Sequence, residues 1–198
     1  MIICRIQKYV SSFLIFSLFG CGLGNGSGGH DPNKPLPVLY SDRSQVLVNH
    51  EAGAVIMTPD GKASLSIAQT ALNADTSFEI DPYSTPTGTV TVNLPHVDEM
   101  YKFTPETVSA LISGQTLAVT IWYDERLNNL GPETNLRLGL YDPVNNCWLN
   151  IFLDSPAIIP GTNLHHVTSR TINLMNPSKV PYQLGIFGIT TLDAPNCP

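Results

Sequence analysis

Residues able to do chemistry are sparse in this sequence, and their spacing is uninformative for most reactions. The five histidines are His30, His50, His96, His165 and His166. None belongs to a His-Glu-x-x-His pair, no Ser lies in a Gly-x-Ser-x-Gly turn, and no Asp-x-Asp-x-Asp-Gly loop occurs. His165 and His166 adjoin in a segment that reads as strand, so their side chains point to opposite faces and do not jointly chelate one metal. Four carboxylates at predicted strand ends, Asp124, Glu125, Asp142 and Asp154, carry the oxygen donors calcium takes if their loops converge; solvated loop carboxylates are the alternative. No base falls beside a nucleophile, so the sequence predicts a non-enzymatic chain without a cofactor.

Composition narrows the class. Of 198 residues, 42% are hydrophobic and 13% charged, which excludes a disordered chain. Sixteen acidic residues against ten basic ones, with no basic run, argue against a nucleic-acid partner. The 15 Gly and 16 Pro argue against a helical bundle.

The positioning elements begin after an address. Arg5 and Lys8 precede an apolar stretch from Val10 to Phe19, too short to span a bilayer, which takes roughly 20 residues. A basic start, a short apolar core and a small residue at a boundary describe a secretory signal over residues 1–20. The boundary Leu18-Phe19-Gly20-Cys21 resembles the lipobox of bacterial lipoproteins. That resemblance implies lipidation of Cys21, a membrane partner through the lipid anchor and, because Gly22 rather than Asp follows, the outer membrane. Several acyl chains hold a protein stably where one does not. Residues 21–39 then read as the lipidated Cys and a tether rich in Gly and Pro; about 18 such residues span roughly 25 Å. The run Gly24-Asn25-Gly26-Ser27-Gly28-Gly29 lacks the flanking strand, helix and Lys of a phosphate loop.

Residues 40–198 fit one domain. With Cys4 in the signal and Cys21 at the boundary, Cys147 and Cys197 remain as an even pair in an oxidising compartment, and a disulfide pinning the C-terminal tail is expected. Closing that loop is worth roughly 4 kcal/mol in the chain-entropy model. No Cys-x-x-Cys appears, so a zinc site is not expected.

Period-two alternation predicts an all-β, antiparallel β-sandwich of about 8–10 strands. The segments are Ser64–Ile67, Phe78–Ile80, Thr89–Leu94, Thr116–Tyr123, Arg137–Tyr141, Trp148–Leu153, His166–Leu174 and Tyr182–Ile189. Turns are expected at Thr58–Lys62, Asp81-Pro82, Thr85–Gly88, Asp142-Pro143 and Asn176-Pro177. Thr104-Pro105-Glu106 reads as a helix start, and Gly114 limits any helix there to a turn or so. Alternation puts Trp122 opposite Leu117, Val119, Ile121 and Tyr123, and Tyr141 opposite Leu138 and Leu140. It puts Trp148 and Phe152 together, opposite Cys147, Leu149 and Ile151. If these strands share a sheet, Trp122, Tyr141, Trp148 and Phe152 form an apolar patch outside the core, a surface for an envelope protein or a glycan. Cover by a loop or by the tail tied at Cys197 is the competing expectation.

The order Ala52-Gly53-Ala54-Val55, Thr58-Pro59-Asp60-Gly61-Lys62, Leu65-Ser66-Ile67, Ala71-Leu72, then Thr76, Phe78 and Ile80 resembles the β-sandwich domain shared by zonula-occludens proteins, netrin receptors and ankyrins. Tyr101-Lys102-Phe103-Thr104-Pro105, the Leu117–Tyr123 strand, Leu138-Gly139-Leu140-Tyr141 and Trp148 follow in that family's order, over about residues 52–190. Ala52 and Ala68-Gln69-Thr70 depart from its pattern. Some members cut their own chain at a His-Phe-Ser or His-Leu-Ser step. His166-Val167-Thr168 is the candidate here, but Tyr182-Gln183-Leu184-Gly185 occupies the usual place of the motif and lacks it, so self-cleavage is not expected. The expected function is a membrane-anchored bacterial envelope lipoprotein acting as a binding or structural module. A small envelope hydrolase with an unrecognised site and a calcium-dependent adhesin are the alternatives.

Overall fold

The structure, a computed structural model, describes residues 34–84, 96–152, 154–169, 184–194 and 196–197. The expected signal, Cys21, most of the expected tether, the expected Thr89–Leu94 strand, the expected Thr85–Gly88 and Asn176-Pro177 turns, Leu153, and the parts of the expected late strands at 170–174 and 182–183 lie outside the described residues.

The described residues form an all-β sandwich of two six-stranded sheets. Sheet one has the order β1 (Val38–Tyr40), β3 (Ala54–Met57), β4 (Ala63–Ile67), β7 (Leu117–Asp124), β11 (Leu164–Ser169), β10 (Ala157–Ile158). Sheet two has the order β2 (Val46–Val48), β5 (Thr76–Tyr83), β6 (Val97–Thr104), β12 (Ile186–Thr191), β8 (Leu136–Asp142), β9 (Cys147–Ile151). Among the described strands only β1 and β3 run parallel; the other strand pairings are antiparallel. Twelve strands are described against an expectation of 8–10, because edge strands of two or three residues, β1, β2 and β10, are too short to display a period.

Alternation builds the core. Along β7, Leu117, Val119, Ile121 and Tyr123 are buried while the residues between them are partly open. They meet Ile56, Leu65 and Ile67 from their own sheet and Phe78, Phe103, Leu138, Leu140 and Phe187 from the other, in one apolar layer. Phe103 and Phe187 pack edge to face at 5.5 Å.

The Thr58–Lys62 turn forms as its residue types demand. Gly61 has φ +73°, Lys62 N donates to Asp60 Oδ1 at 3.0 Å, and Ala63 N donates to Thr58 Oγ1 at 3.0 Å. Gly53, at φ +62°, sits where a Cβ would lie 2.5 Å from the Ile67 carbonyl oxygen.

Asp81-Pro82 is not a turn: β5 continues through it to Tyr83. β2 pairs only with Thr76–Phe78, and the Ile80 N–H donates to Ser41 Oγ on the side β2 has left. Two residues on, the Pro82 nitrogen faces that same strand-free side, where no ladder bond is lost. No helix follows Thr104-Pro105. Residues 105–116 form turns, with Leu111 bridged to Leu72 and Val108 buried.

Sheet two has a second apolar cluster on its outer face: Met100, Tyr141, Trp148, Ile186 and Ala194, with Tyr83 and Ile151 against it. Two cross-strand glycines make this possible. Gly139 pairs with Gly188, and the Trp148 indole lies over both. A Cβ on Gly139 would meet the indole at 2.4 Å. The tail closes the cluster: Asn196 bridges to Trp148, Cys197 N donates to Trp148 O at 2.9 Å, and Cys147 and Cys197 are bonded with Cα atoms 5.1 Å apart.

Gly139→Ala should therefore cost about 1–3 kcal/mol in urea unfolding by overpacking. Gly185→Ala should cost clearly less, since its nearest new contact is one Leu140 methyl at 3.0 Å. Equal losses would remove the indole as the cause. Reduction of Cys147–Cys197 should release the tail and shift tryptophan emission to the red; an emission maximum that stays put would show that another element covers Trp148.

Candidate functional site

The four aromatic residues expected to form one patch do not assemble. Trp122 lies on the outer face of sheet one, with its ring 5.9 Å from that of His166 on the neighbouring strand. Tyr141 and Trp148 lie on the outer face of sheet two and are buried, at 5% and 0% exposure. Phe152 packs on the main core, 6.2 Å from Phe187. Strict alternation would keep Trp148 and Phe152 on one face. An irregularity in the β8–β9 pairing between Leu140 and Tyr141 resets the parity: Tyr141 faces Trp148, but Leu140 faces Asn150 and Gly139 faces Ile151. The tail tied at Cys197 covers the two that remain together.

The four candidate calcium ligands are also apart. Among the described residues, no three of Asp124, Glu125, Asp142 and Asp154 bring oxygens within 4.8 Å of one another. Asp124 closes sheet one and grips Arg126, whose side chain and backbone N–H hold the Asp124 carboxyl at about 2. Asp142 closes β8 in sheet two, where it accepts from Val144 N at 2.8 Å and orders the Asp142-Pro143 turn. Asp154 is exposed beyond β9.

A different constellation is assembled at the end of sheet one. His165, on β11, is 2% exposed and lies across from Tyr123 on β7, with their rings 5.7 Å apart. Its Nε2 lies 3.0 Å from Glu125 Oε2, and its Nδ1 lies 2.7 Å from Glu133 Oε2. Both carboxylates come from the connection between β7 and β8, which crosses from one sheet to the other. Asp124 caps a short 3-10 turn at Glu125–Leu127, and the Glu125 N–H donates to Asn163 O at 3.0 Å, which fixes it beside β11. Asn128 then ties the loop through Leu130 N and the Gly131 carbonyl. Pro132 leads extended into a second 3-10 turn, Glu133–Asn135.

The cluster is incompletely satisfied. Tyr123 Oη, Glu133 Oε1 and His165 Nδ1 are buried without a hydrogen-bond partner. The Nδ1 contact with Glu133 is short but off the line of an N–H bond. Burial first, then the charges of Glu133 and Glu125, raise the Tyr123 hydroxyl above its ordinary value. An orphaned buried polar atom costs about 1–3 kcal/mol, so three at one place call for a physical cause.

The other imidazoles offer less. His50 Nδ1 lies 2.7 Å from Asp75 Oδ1 in an exposed pair, and the Asp75 carboxyl is held down by the His50 backbone N–H and then by its ring. Among the described residues, the ring-nitrogen contacts of His50 and His165 are to carboxylates. Thr168 has its hydroxyl 2.8 Å from that of Thr120, in a regular ladder.

Sequence reading put Tyr123 on the core face but did not connect it with His165 or Glu133. A signal existed. His165 shares the face of the core residue Val167, so it is a polar ring on an inward position.

The cluster lies far from where the chain enters the sandwich. Val38 aligns with Val55, Ser66 and Ala118 across sheet one, while Tyr123 and His165 pair five residues further along β7. At about 3.4 Å per residue that is roughly 17 Å.

Tyr123→Phe should leave the fold intact and at neutral pH be as stable as the parent or slightly more so, since it removes an orphaned hydroxyl. Tyrosine ionises near 10 in the unfolded chain, whereas the folded chain keeps this proton at higher pH. Above about pH 10 the unfolded state therefore binds fewer protons, and stability falls as pH rises. The urea midpoint of the variant should fall less than that of the parent between about pH 9 and 11. Parallel declines would exclude a buried, protonated Tyr123.

No family model and no curated protein matches this chain.

Proposed function

We propose that this chain is a lipid-anchored module of the bacterial envelope: cleaved before Cys21, acylated there, and carrying its sandwich on a short Gly/Pro tether as a non-enzymatic binding or structural unit. The observation that carries the reading is the boundary Leu18-Phe19-Gly20-Cys21 after a short apolar stretch, followed within a few tens of residues by a closed sandwich. Its likeness to lipoproteins supports an outer-membrane address through Gly22. The short motifs from Ala52 to Trp148 support kinship with the sandwich of zonula-occludens proteins, netrin receptors and ankyrins, on an architecture of the right class.

A flexible tether that joins β1 at Val38 leaves the sandwich free to reorient, and the Glu125–Glu133–His165 end, at the far end of sheet one, is then able to face outward. The partner is then an envelope protein or a glycan met on the outward side, or a neighbouring component of an assembly.

Cys21→Ser tests the anchor. The parent chain should incorporate fatty acid and partition into the detergent phase, and the variant should do neither while keeping its fold by circular dichroism. A parent chain that takes up no fatty acid, or a variant that still sediments with membranes, would end the lipoprotein reading.

A further inference from the structure

We propose that Glu125, Glu133 and His165 form a binding site for one divalent cation of the zinc class, at the end of the sandwich away from the tether. The inference stands on the described residues alone and does not depend on the lipid anchor.

Three donors, one from each residue, lie within 4.8 Å of one another. A tetrahedral zinc with bonds of about 2.0–2.2 Å holds its donors roughly 3.3 Å apart, so a small inward movement completes the set. That movement falls to the two residues best able to make it, because Glu125 and Glu133 each open a short 3-10 turn in the connecting loop. The imidazole is the rigid member, held in β11 and buried.

An acidic cluster alone would not make a site. The independent observation is the set of buried orphans gathered at this one, with the Tyr123 ring 5.7 Å from that of His165 and His165 Nδ1 beside Glu133. His165 is 2% exposed and Tyr123 1%, and Tyr123 Oη, His165 Nδ1 and Glu133 Oε1 all lack a hydrogen-bond partner. A simple ion pair between a doubly protonated His165 and its two flanking carboxylates would align each ring N–H with an oxygen. The Nδ1 side is not so aligned, although the separation is only 2.7 Å. A metal ion needs only one ring nitrogen and one oxygen from each carboxylate, and such a set of three lies within 4.8 Å here.

The donor set selects the ion. One imidazole nitrogen with carboxylate oxygens suits zinc and its neighbours, whereas calcium takes six to eight oxygens. Access is from solvent: the Glu125 and Glu133 side chains are 45% and 31% exposed, while His165 forms the floor.

The test is calorimetric titration of the untagged full chain, purified in detergent micelles, with zinc chloride and separately with calcium chloride. Zinc should bind at one site per chain, and Glu125→Gln and Glu133→Gln should each weaken it at least about tenfold. His165→Gln is the direct variant but sits in the core and can misfold. The half-exposed Glu125 keeps the test decisive, provided its variant retains the parent's metal-free melting temperature. Cobalt(II) should give a visible absorption band that Glu125→Gln weakens. No saturable zinc binding, equal affinity in the parent and both glutamate variants, or calcium binding as tightly as zinc would each overturn the proposal.

Discussion

The alternation of β7 is the constraint on which the rest of this structure depends. β7 is paired on both sides, with β4 and with β11, so its side chains have only two directions available. Leu117, Val119 and Ile121 go inward and set the position of the shared apolar layer; Tyr123 must follow them. The strand ends one residue later, so the Tyr123 hydroxyl emerges where hydrocarbon gives way to loop. The ladder lays His165 opposite it, and the crossing connection delivers Glu125 and Glu133. The polar cluster is thus the rim of the core rather than a separate feature. Its donors are held by the same pairing that excludes water from the layer beneath.

Sheet two solves a different problem. Its inner face supplies half of the core, and its outer face would expose Tyr141, Trp148 and Ile186 if left bare. Gly139 and Gly188 remove two side chains from neighbouring strands and let the indole approach the backbone closely. Ala194, Asn196 and Cys197 then form the lid, fixed covalently at Cys147. Loop closure by that bond is worth roughly 4 kcal/mol in the chain-entropy model, comparable with burying one large aromatic side chain. Bridge and indole act on the same few residues: the bond keeps the tail near, and the indole gives it an apolar surface to cover.

Much of this was legible in the sequence, for reasons that also explain the failures. Alternation identified β4, β7 and β8, and the Thr58–Lys62 turn was read from residue types with specific backbone roles. These are local properties. The aromatic patch failed because it required two non-local facts: that β7 and β8 belong to different sheets, and that the β8–β9 register slips between Leu140 and Tyr141. One such slip moves Phe152 from the outer face to the core. The Asp81-Pro82 turn failed for a related reason, since a proline ends a strand only where its missing N–H would have been used. The Glu125–Glu133–His165 cluster was beyond local reading because its members are brought together by a loop that changes sheets. Only the inward parity of His165 was on view beforehand.

Charge explains why that cluster is the unsettled part of the molecule. Two carboxylates within 4.8 Å repel by about 1–3 kcal/mol when partly exposed, and they sit over a layer that cannot solvate them. The chain as a whole does not help, being −6 in formal charge. The nearby Arg126 is committed to Asp124 through several contacts. Among the described residues, the ring that both Glu125 and Glu133 approach is that of His165. An imidazolium supplies one positive charge against two negative ones, and does so with Nδ1 off its hydrogen-bond line. A divalent cation supplies two, accepts the imidazole as a neutral donor, and leaves no charge over.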